Sequence, residues 1–445
     1  MNQRPPGSRA SSQERSIPQE NSDASAEART ERVIEDEVAA LTGRGPRYIE
    51  KGSREYRFTM LALFSAGFAT FALLYCVQPL MPILSSAFAI NAAQSSLVLS
   101  VATATLALGL LITGSLSDAL GRKNIMSLAL VSAAIFTLLT AMMPSWPLIL
   151  LSRALVGLSL SGLAAVAMTY LSEELSPRAL GVSMGIYISG NAIGGMSGRV
   201  ISGVLVDFLP WRVVMLILGG LALVAALAFL RWLPASHNFE ARPFSLRGLL
   251  SGIRLHFKDP GLPWLFLEGF LLMGAFVTMF NYIGYRLLDA PYFYSQALVG
   301  LISVVYLSGI YSSAWGGAMA DKHGHRNVFW GFVLLLVAGA LLTLFDAIVL
   351  IIAGIALLTF GFFAAHSTAS SWVGRRASVA RGQAASLYLF FYYLGSSVAG
   401  TSGGIFWHMA GWPGVVGFIV LLLVAALAIA WFRLHRLTPL HTYTS

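Results

Sequence analysis

The stretch that decides the fold is residues 114–123, Gly-Ser-Leu-Ser-Asp-Ala-Leu-Gly-Arg-Lys, a short polar block between two apolar runs. Each run is long enough to cross a bilayer, since ~20 helical residues rising 1.5 Å each span its ~30 Å hydrocarbon core. The block therefore predicts a tight turn between two membrane helices. A second copy, Gly317 to Arg326, repeats the pattern Gly-x-x-x-Asp-x-x-Gly-x-Arg/Lys, and its Asp321 follows Asp118 by 203 residues. A duplicated signature predicts two homologous halves.

Composition assigns the chain to the membrane proteins. Of its 445 residues, 56% are hydrophobic and 11% are charged, whereas a soluble protein carries about 25% charged residues. The single cysteine, Cys76, allows no internal disulfide. The net charge of +9 is spread over the connections between apolar runs, so it indicates topology rather than a nucleic-acid partner.

Hydropathy predicts an all-α membrane protein with two sets of six spans. Residues 1–57 predict a disordered tail, 58–233 and 263–434 two six-helix bundles, 234–262 a central loop, and 435–445 a second tail. The predicted spans are 58–80, 95–116, 124–143, 147–171, 179–206, 211–233, 263–287, 297–320, 326–347, 348–371, 382–409 and 412–434.

The distribution of Lys and Arg orients these spans. Basic residues crowd the N-terminal tail and alternate connections, whereas the opposite connections hold only Arg212 and Arg286. Because cytoplasmic loops carry the excess of positive charge, we expect both termini and the central loop to be cytoplasmic. The expected location is the inner membrane of a bacterium, as a multi-pass protein.

Four motifs resemble those of the major facilitator superfamily. The block Gly114–Lys123 is similar to the family's loop 2–3 signature, and Gly317–Arg326 to its weaker copy in loop 8–9. Arg153-x-x-x-Gly157 resembles the fourth-helix motif. Gly190-x-x-x-Gly194-Gly195 resembles the fifth-helix motif of drug antiporters, with Asn191 where those proteins usually have proline. The segments Phe68–Pro79, Tyr187–Gly198, Glu268–Tyr285 and Ala364–Trp372 resemble bacterial inner-membrane facilitators of the efflux type.

The resemblance implies a major facilitator fold of twelve transmembrane helices in two pseudo-symmetric six-helix bundles, with a central cavity and alternating access. It also implies that the polar turns lock one half against the other in one access state. Glu173 and Glu174 are candidate partners for the arginine of the first turn. The alternative is that the basic residues only anchor topology. The candidate lock residues are Gly114, Asp118, Gly121, Arg122, Glu173, Asp321 and Arg326.

Two arginines inside predicted spans are candidate substrate ligands, because intramembrane charges are costly and usually functional. Arg153 and Arg199 lie ~9–12 Å below the same surface by helical rise. Without matched carboxylates they would make a positive cavity that favours an anionic solute. Arg153 is also a candidate for proton coupling. Alternatively, Gln78, Asn191, hydroxyls and carbonyls satisfy Arg153, and Asp207 or lipid headgroups bind Arg199.

Glu268 and His366 form the candidate proton-coupling pair. Each lies five residues inside a span from the same surface, and the resemblance implies that both spans line the cavity. A carboxyl beside an imidazole is suited to carry a proton. The alternative is a snorkelling Glu268 and a packing His366. Polar-tipped residues on cavity helices complete the candidate substrate site, which comprises Arg153, Arg199, Gln78, Asn191, Tyr187, Asn281 and Tyr282.

These residues predict a secondary active transporter that exports small organic molecules in exchange for protons. The closest rival is a proton-coupled uptake symporter for sugars or organic acids, and a membrane sensor or enzyme is a remote one. The sequence contains no Walker phosphate loop and no metal-ligand cluster. We therefore expect no enzyme activity, cofactor or metal. The expected partners are a small-molecule substrate, protons and the lipid bilayer, with the protein acting as a monomer.

Overall fold

The computed structural model describes residues 47–241, 243 and 245–435, and these residues form α-helices joined by short connections. Ile302–Val305 form a 3-10 turn within the tenth helix. The helices, in chain order, are α1 (Arg54–Tyr75), α2 (Met81–Phe88), α3 (Ala92–Leu120), α4 (Arg122–Met142), α5 (Trp146–Glu174), α6 (Pro177–Val206), α7 (Trp211–Trp232), α8 (Leu246–Phe257), α9 (Leu262–Leu288), α10 (Gln296–His323), α11 (His325–Leu342), α12 (Ile348–Arg376) and α13 (Arg381–Ile429).

Within these described residues, ten helical stretches are long and apolar enough to cross a membrane. The last of them, α13 with its continuation to Leu434, has 54 residues and leaves helical geometry at Ala410 and Gly411. It is therefore long enough for two crossings. Helix α6 is not among the ten, because many glycines and serines lower its hydropathy, yet its 30 residues suffice in length. All twelve predicted spans are thus present as helices.

Several predicted boundaries need correction. Helix α1 begins at Arg54 and ends at Tyr75, and α2 occupies a stretch predicted as a loop. Pro79 explains the break, because proline lacks the N–H that would continue the ladder. Most of the two predicted tails, residues 1–46 and 436–445, lies outside the described residues. Ile49, in the described part of the first predicted tail, is buried and forms a bridge with Leu175. The central loop contains the amphipathic helix α8.

Local side chains explain where the helices begin and turn. The Ser53 hydroxyl accepts a hydrogen bond from Tyr56 N at 3.0 Å and caps α1. Asn91 and Gln94 form a capping box at the start of α3. Gly121 joins α3 to α4 at φ +93°, and Gly324 joins α10 to α11 at φ +88°. Both are left-handed positions at which glycine is favoured, so the duplicated polar block has the same backbone turn twice.

Helix packing repeats between the halves. In the first half α1 packs on α6, α3 on α5, and α4 on α5; in the second, α9 packs on α13, α10 on α12, and α11 on α12. The halves meet where α3 packs on α13 and α6 on α10. Because consecutive spans run in opposite directions, the bundle has two ends. We name them the Asp118 end and the Asp207 end after the residue that each carries.

Candidate functional site

The two halves are packed closely at the Asp207 end. A Cβ placed on Gly203 of α6 would lie 2.8 Å from the carbonyl oxygen of Gln296 and 2.9 Å from Cα of Gly300, both on α10. At the Asp118 end, a Cβ on Gly114, Gly181 or Gly382 would meet no atom of the described chain within 4 Å. At these glycines, the halves touch at the Asp207 end and are not in contact at the Asp118 end.

The carboxylate of Asp207 connects the halves at that end. Its two oxygens accept hydrogen bonds from the backbone N–H groups of Gln296 and Ala297, each at 3.0 Å. These are the first N–H groups of α10, which have no partner within the helix, and the negative charge also suits the helix dipole. Asp207 is thus a cap for a helix of the opposite half. The alternative in which it pairs with Arg199 is not found.

A chain of polar side chains crosses between the halves in the interior. Arg199 Nε donates a short hydrogen bond to the side-chain oxygen of Gln78. The amide nitrogen of Gln78 donates to the side-chain oxygen of Asn281 at 2.7 Å. The three residues come from α6, the turn after α1, and α9, and all are buried. The structure therefore brings these three candidate substrate ligands together.

Arg199 lies in an aromatic cage. Its guanidinium carbon is 4.2 Å from the ring centre of Tyr75 and 4.7 Å from that of Tyr306 in the other half. The side chain is 1% exposed, Nη1 donates to the Gly195 carbonyl, and Nη2 has no hydrogen-bond partner. Aromatic faces stabilise a desolvated cation. The spare donor is suited to an acceptor that is not part of this chain.

Arg153 lies apart from this chain of residues. Its guanidinium donates to three backbone carbonyls, those of Leu73 and Leu74 on α1 and Val98 on α3, at 3.0–3.2 Å. The α1 carbonyls are available because the helix ends at Tyr75. The geometry matches the alternative in which backbone carbonyls satisfy Arg153, although Gln78 and Asn191 contribute nothing to it.

Glu268 and His366 are both found around Tyr388. Glu268 is 0% exposed and neither of its carboxyl oxygens has a hydrogen-bond partner. The ring of Tyr388 packs against Gly269, the next residue of α9, and its hydroxyl is 2.9 Å from Nδ1 of His366. Tyr388 of α13 thus contacts His366 and packs against the residue next to Glu268 in the chain, and the predicted pairing of Glu268 with His366 stays a prediction. No direct hydrogen bond between the two is found in the described residues.

The remaining candidate substrate residues have mixed surroundings. Tyr282 donates to the Gly400 carbonyl at 2.8 Å, which holds α9 against α13. Asn191 and Tyr187 on α6 face Gly67 on α1 within the first half, where their side chains occupy the space that a Cβ would fill. Tyr282 thus has a packing role in this conformation. The side-chain oxygen of Asn191 is buried without a partner.

The candidate lock residues form ion pairs within each half. Arg122 contacts Asp118 at 2.5 Å and Glu173 at 2.8 Å, which connects the first polar turn to the end of α5. In the second half Asp321 pairs with Arg375 at the end of α12. The equivalent helix ends thus carry opposite charges.

Two other lock candidates make no ion pair among the described residues. Arg326 donates to the His435 carbonyl at 2.9 Å, and Gly114 faces open space. Glu174, the second candidate partner of Arg122, instead accepts from the backbone N–H groups of His237 and Asn238. In this conformation none of these pairs connects one half to the other.

Sequence reasoning did not select three residues that shape the site. Tyr75 and Tyr306 form the cage around Arg199, and the Tyr388 hydroxyl contacts His366. Tyrosine is common in membrane helices as an interfacial residue, so composition alone did not distinguish these three. For Tyr306 and Tyr388 a position inside a span was the available signal, whereas Tyr75 is the last residue of α1.

Comparison with known proteins places the chain in a family. The model of the Major Facilitator Superfamily matches residues 63–316. The chain is 57% identical to the inner membrane transport protein YnfM of Escherichia coli K12 over 392 residues, 88% of this chain and 93% of that protein. It is 46% identical to the uncharacterized MFS-type transporter YybF of Bacillus subtilis over 85% of this chain and 94% of that one.

Solved structures agree in fold at low sequence identity. A bacterial homologue of the human lysosomal transporter Spinster, in an inward-facing and occupied conformation, has a TM-score of 0.71 at 15% identity, covering 87% of this chain and 98% of that one. A point mutant of the nucleoside transporter NupG has a TM-score of 0.69 at 16% identity and covers 83% of this chain and 99% of that one.

The fold and the comparisons together define a multi-pass membrane transporter rather than an enzyme. The chain belongs to the Major Facilitator Superfamily.

Proposed function

We propose that this protein is a proton-coupled secondary transporter that exports small organic molecules by alternating access. The observation that carries the proposal is Glu268, a fully buried carboxyl without a hydrogen-bond partner beside the Tyr388–His366 pair. A buried, unpaired carboxylate is costly. Glu268 would therefore take up a proton when its site is closed to water and release it when water enters. This exchange would link the two access states to the proton gradient.

The positive-inside distribution supports a cytoplasmic Asp118 end. In that orientation, the contact between Gly203 and Gly300 closes the periplasmic side, and the glycines in open space lie on the cytoplasmic side. The described conformation would then be the inward-facing one. The two six-helix bundles, 58–233 and 263–434, would act as the moving units, and the polar turns would lock them at the cytoplasmic side in the opposite state. We propose an inner-membrane location for a monomer in this orientation.

Arg199 favours a second candidate within transport. Its unpartnered Nη2 in an aromatic cage supports a solute with an acidic group and an apolar body. An uptake symporter for organic acids would use the same residues with the opposite direction of flux. Sequence and geometry support both directions, so the sign of the proton movement decides between them.

Everted membrane vesicles test the proposal. Vesicles containing the protein are preloaded with a pH indicator and challenged with candidate solutes from outside. An exporter that exchanges solute for protons makes the lumen more alkaline when its substrate is added. A symporter carries solute and proton inward together and acidifies the lumen. A solute that accumulates with no change in lumenal pH, under conditions where membrane potential is clamped, would overturn proton coupling.

A further inference from the structure

A basic cavity lies at the Asp118 end between the start of α1 and the end of α7. It has a volume of about 530 Å³ and is lined by Arg54, Phe58, Arg231 and Trp232, with Glu55 and Pro234 completing the wall. Two arginines and one glutamate leave a net positive charge. Both arginines are exposed, and the guanidinium of Arg54 lies 5.5 Å from the ring centre of Phe58. The arginines are therefore available to an anion from outside the chain.

The cavity is at the level where lipid headgroups lie. Arg54 is the first residue of α1, and Arg231 is the second-last residue of α7. Tryptophan at a helix end, as with Trp232, is typical of the membrane–water interface. Long basic side chains at such positions extend toward headgroup phosphates. The anion that fits this position is the phosphate of a membrane lipid.

A separate apolar groove lies further along the same two helices, with Ile201 of α6 also in its wall. It has a volume of about 320 Å³ and is lined by Phe64 and Phe68 on α1 and by Leu221 and Ala225 on α7, among others. Leu221 is exposed on the outer surface. By helical rise, Ala225 lies ~9 Å from Arg231 along the helix, and Phe64 lies ~15 Å from Arg54. The near end of the groove is therefore within reach of an acyl chain one leaflet long, ~15 Å of hydrocarbon, whereas its far end at Leu73 and Leu218 lies deeper.

We infer that the α1–α7 seam is a binding site for an anionic phospholipid. Its phosphate contacts Arg54 and Arg231, and an acyl chain runs along the seam between α1 and α7 as far as the near end of the groove, at Phe64 and Ala225. The net positive charge of the cavity favours an anionic headgroup over a zwitterionic one, because the phosphate of a zwitterionic lipid is already partly neutralised by the lipid's own positive group. The site lies on the outer surface of the first half, and the proposed transport mechanism does not depend on it.

The test uses the full-length protein purified in detergent, with thermal unfolding and native mass spectrometry as readouts. The probes are phosphatidylglycerol, phosphatidylcholine with the same acyl chains, the deacylated glycerophosphoglycerol headgroup, and inorganic phosphate. We expect phosphatidylglycerol to raise the melting temperature and remain bound, and the other three to have little effect. The double variant Arg54→Gln/Arg231→Gln should lose about ten-fold or more in phosphatidylglycerol affinity.

The matched control is Arg57→Gln/Arg178→Gln, which removes two exposed arginines at the same end that do not line the cavity. It should bind phosphatidylglycerol as the unmodified protein does. A third variant, Arg54→Lys/Arg231→Lys, keeps the charge and should retain most of the affinity. Equal effects of the two lipids, equal loss in the control, or full stabilisation by phosphate or by the free headgroup would each overturn the proposal.

Discussion

The carboxylate of Asp207 and the backbone of Gln296 are joined by a hydrogen bond of 3.0 Å that connects the two halves of the protein. The neighbouring N–H of Ala297 makes the second bond to the same carboxylate. Directly below, Gly203 and Gly300 allow α6 and α10 to touch. Ser295 caps α10 within its own half, and Asp207 adds two further bonds that depend on the two halves being together.

Replacing Asp207 by alanine should favour the conformation that is open at the Asp207 end. Loss of a helix cap costs about 1 kcal/mol, which shifts a two-state equilibrium by about five-fold. The measurement is the rate at which a thiol reagent labels a cysteine placed at Thr401, whose hydroxyl donates to Ser100 across the halves. We expect the rate to rise several-fold.

The control for this measurement is Asp346→Ala. Asp346 is an acidic residue at the same end, but it pairs with Arg286 within the second half. Its replacement should leave the labelling rate at Thr401 unchanged. If both variants accelerated labelling equally, the cap would have no special part in joining the halves.

Replacing Glu268 by glutamine should uncouple transport from the proton gradient. The amide keeps the size of the side chain but cannot release a proton, so accumulation driven by a pH gradient should fall to background. Exchange of labelled for unlabelled solute needs no net proton movement and should continue. The two activities are measured in the same proteoliposomes. Intact gradient-driven transport in the variant would remove Glu268 from the coupling mechanism.

Arg153 should be essential for stability, because its guanidinium satisfies three buried carbonyls. Arg153→Met fills similar space but removes the donor to the Leu74 carbonyl and leaves Leu73 only the weak Cys76 thiol, and a buried carbonyl without a donor costs about 1–3 kcal/mol. Val98 lies inside α3, so its carbonyl keeps the N–H of the helix. We expect a clearly lower melting temperature in detergent, and only partial recovery with Arg153→Lys. The exposed Arg57→Met provides the control. A variant that melted normally and lost only transport would return Arg153 to the substrate or proton site.

The contrast between Arg153 and Arg199 shows what the sequence was able to predict. The number of spans and the duplicated turn follow from local hydropathy and from a repeated motif, and both are present. Depth in the membrane also singles out these two arginines, and both are buried. Depth does not fix how a helix is rotated about its axis, however. Arg153 faces the carbonyls left free where α1 ends, and Arg199 faces the other half.

The same limit applies to contacts that depend on conformation. Arg122 pairs with Glu173, one of its two candidate partners, within the first half, and its part in locking one half against the other stays a prediction for the other access state. A pairing that forms in only one access state leaves no distinct signal in a sequence. Similarly, the break after Tyr75 required Pro79 to be read as the end of a helix, although apolar residues continue beyond it.

Gly194 should tolerate no side chain, whereas Gly185 on the same helix should. A Cβ on Gly194 would collide with the carbonyl oxygen of Phe68 on α1, but one on Gly185 would meet no atom of the described chain within 4 Å. Close approach through small residues is how membrane helices associate. Gly194→Ala should therefore lower the yield of folded protein and its melting temperature. Gly185→Ala makes the same change in helix propensity and should keep the yield and melting temperature of the unmodified protein. Equal losses of yield and melting temperature in the two variants would contradict the packing argument.

Asp259 should contribute stability that depends on pH. It lies just before α9, outside the spans, and accepts hydrogen bonds from Arg376 at 2.5 Å and from the N–H groups of Gly261 and Leu262. Partial burial acts to raise the pKa of this carboxyl, but the bonds from Arg376 and the two N–H groups outweigh it, so the pKa is lowered.

A lowered pKa in the folded state means that the ionised form is the stabilising one. The contribution is fully present above the unfolded value of about 3.9 and is lost as pH falls through the lower folded value. Asp259→Asn should therefore lower the melting temperature at neutral pH, and the difference from the unmodified protein should shrink below about pH 4. The exposed Asp289→Asn should show no such difference. If the Asp259→Asn deficit stayed constant down to the most acid pH tolerated, the connection between the start of α9 and the end of α12 would owe its strength to something other than this charge.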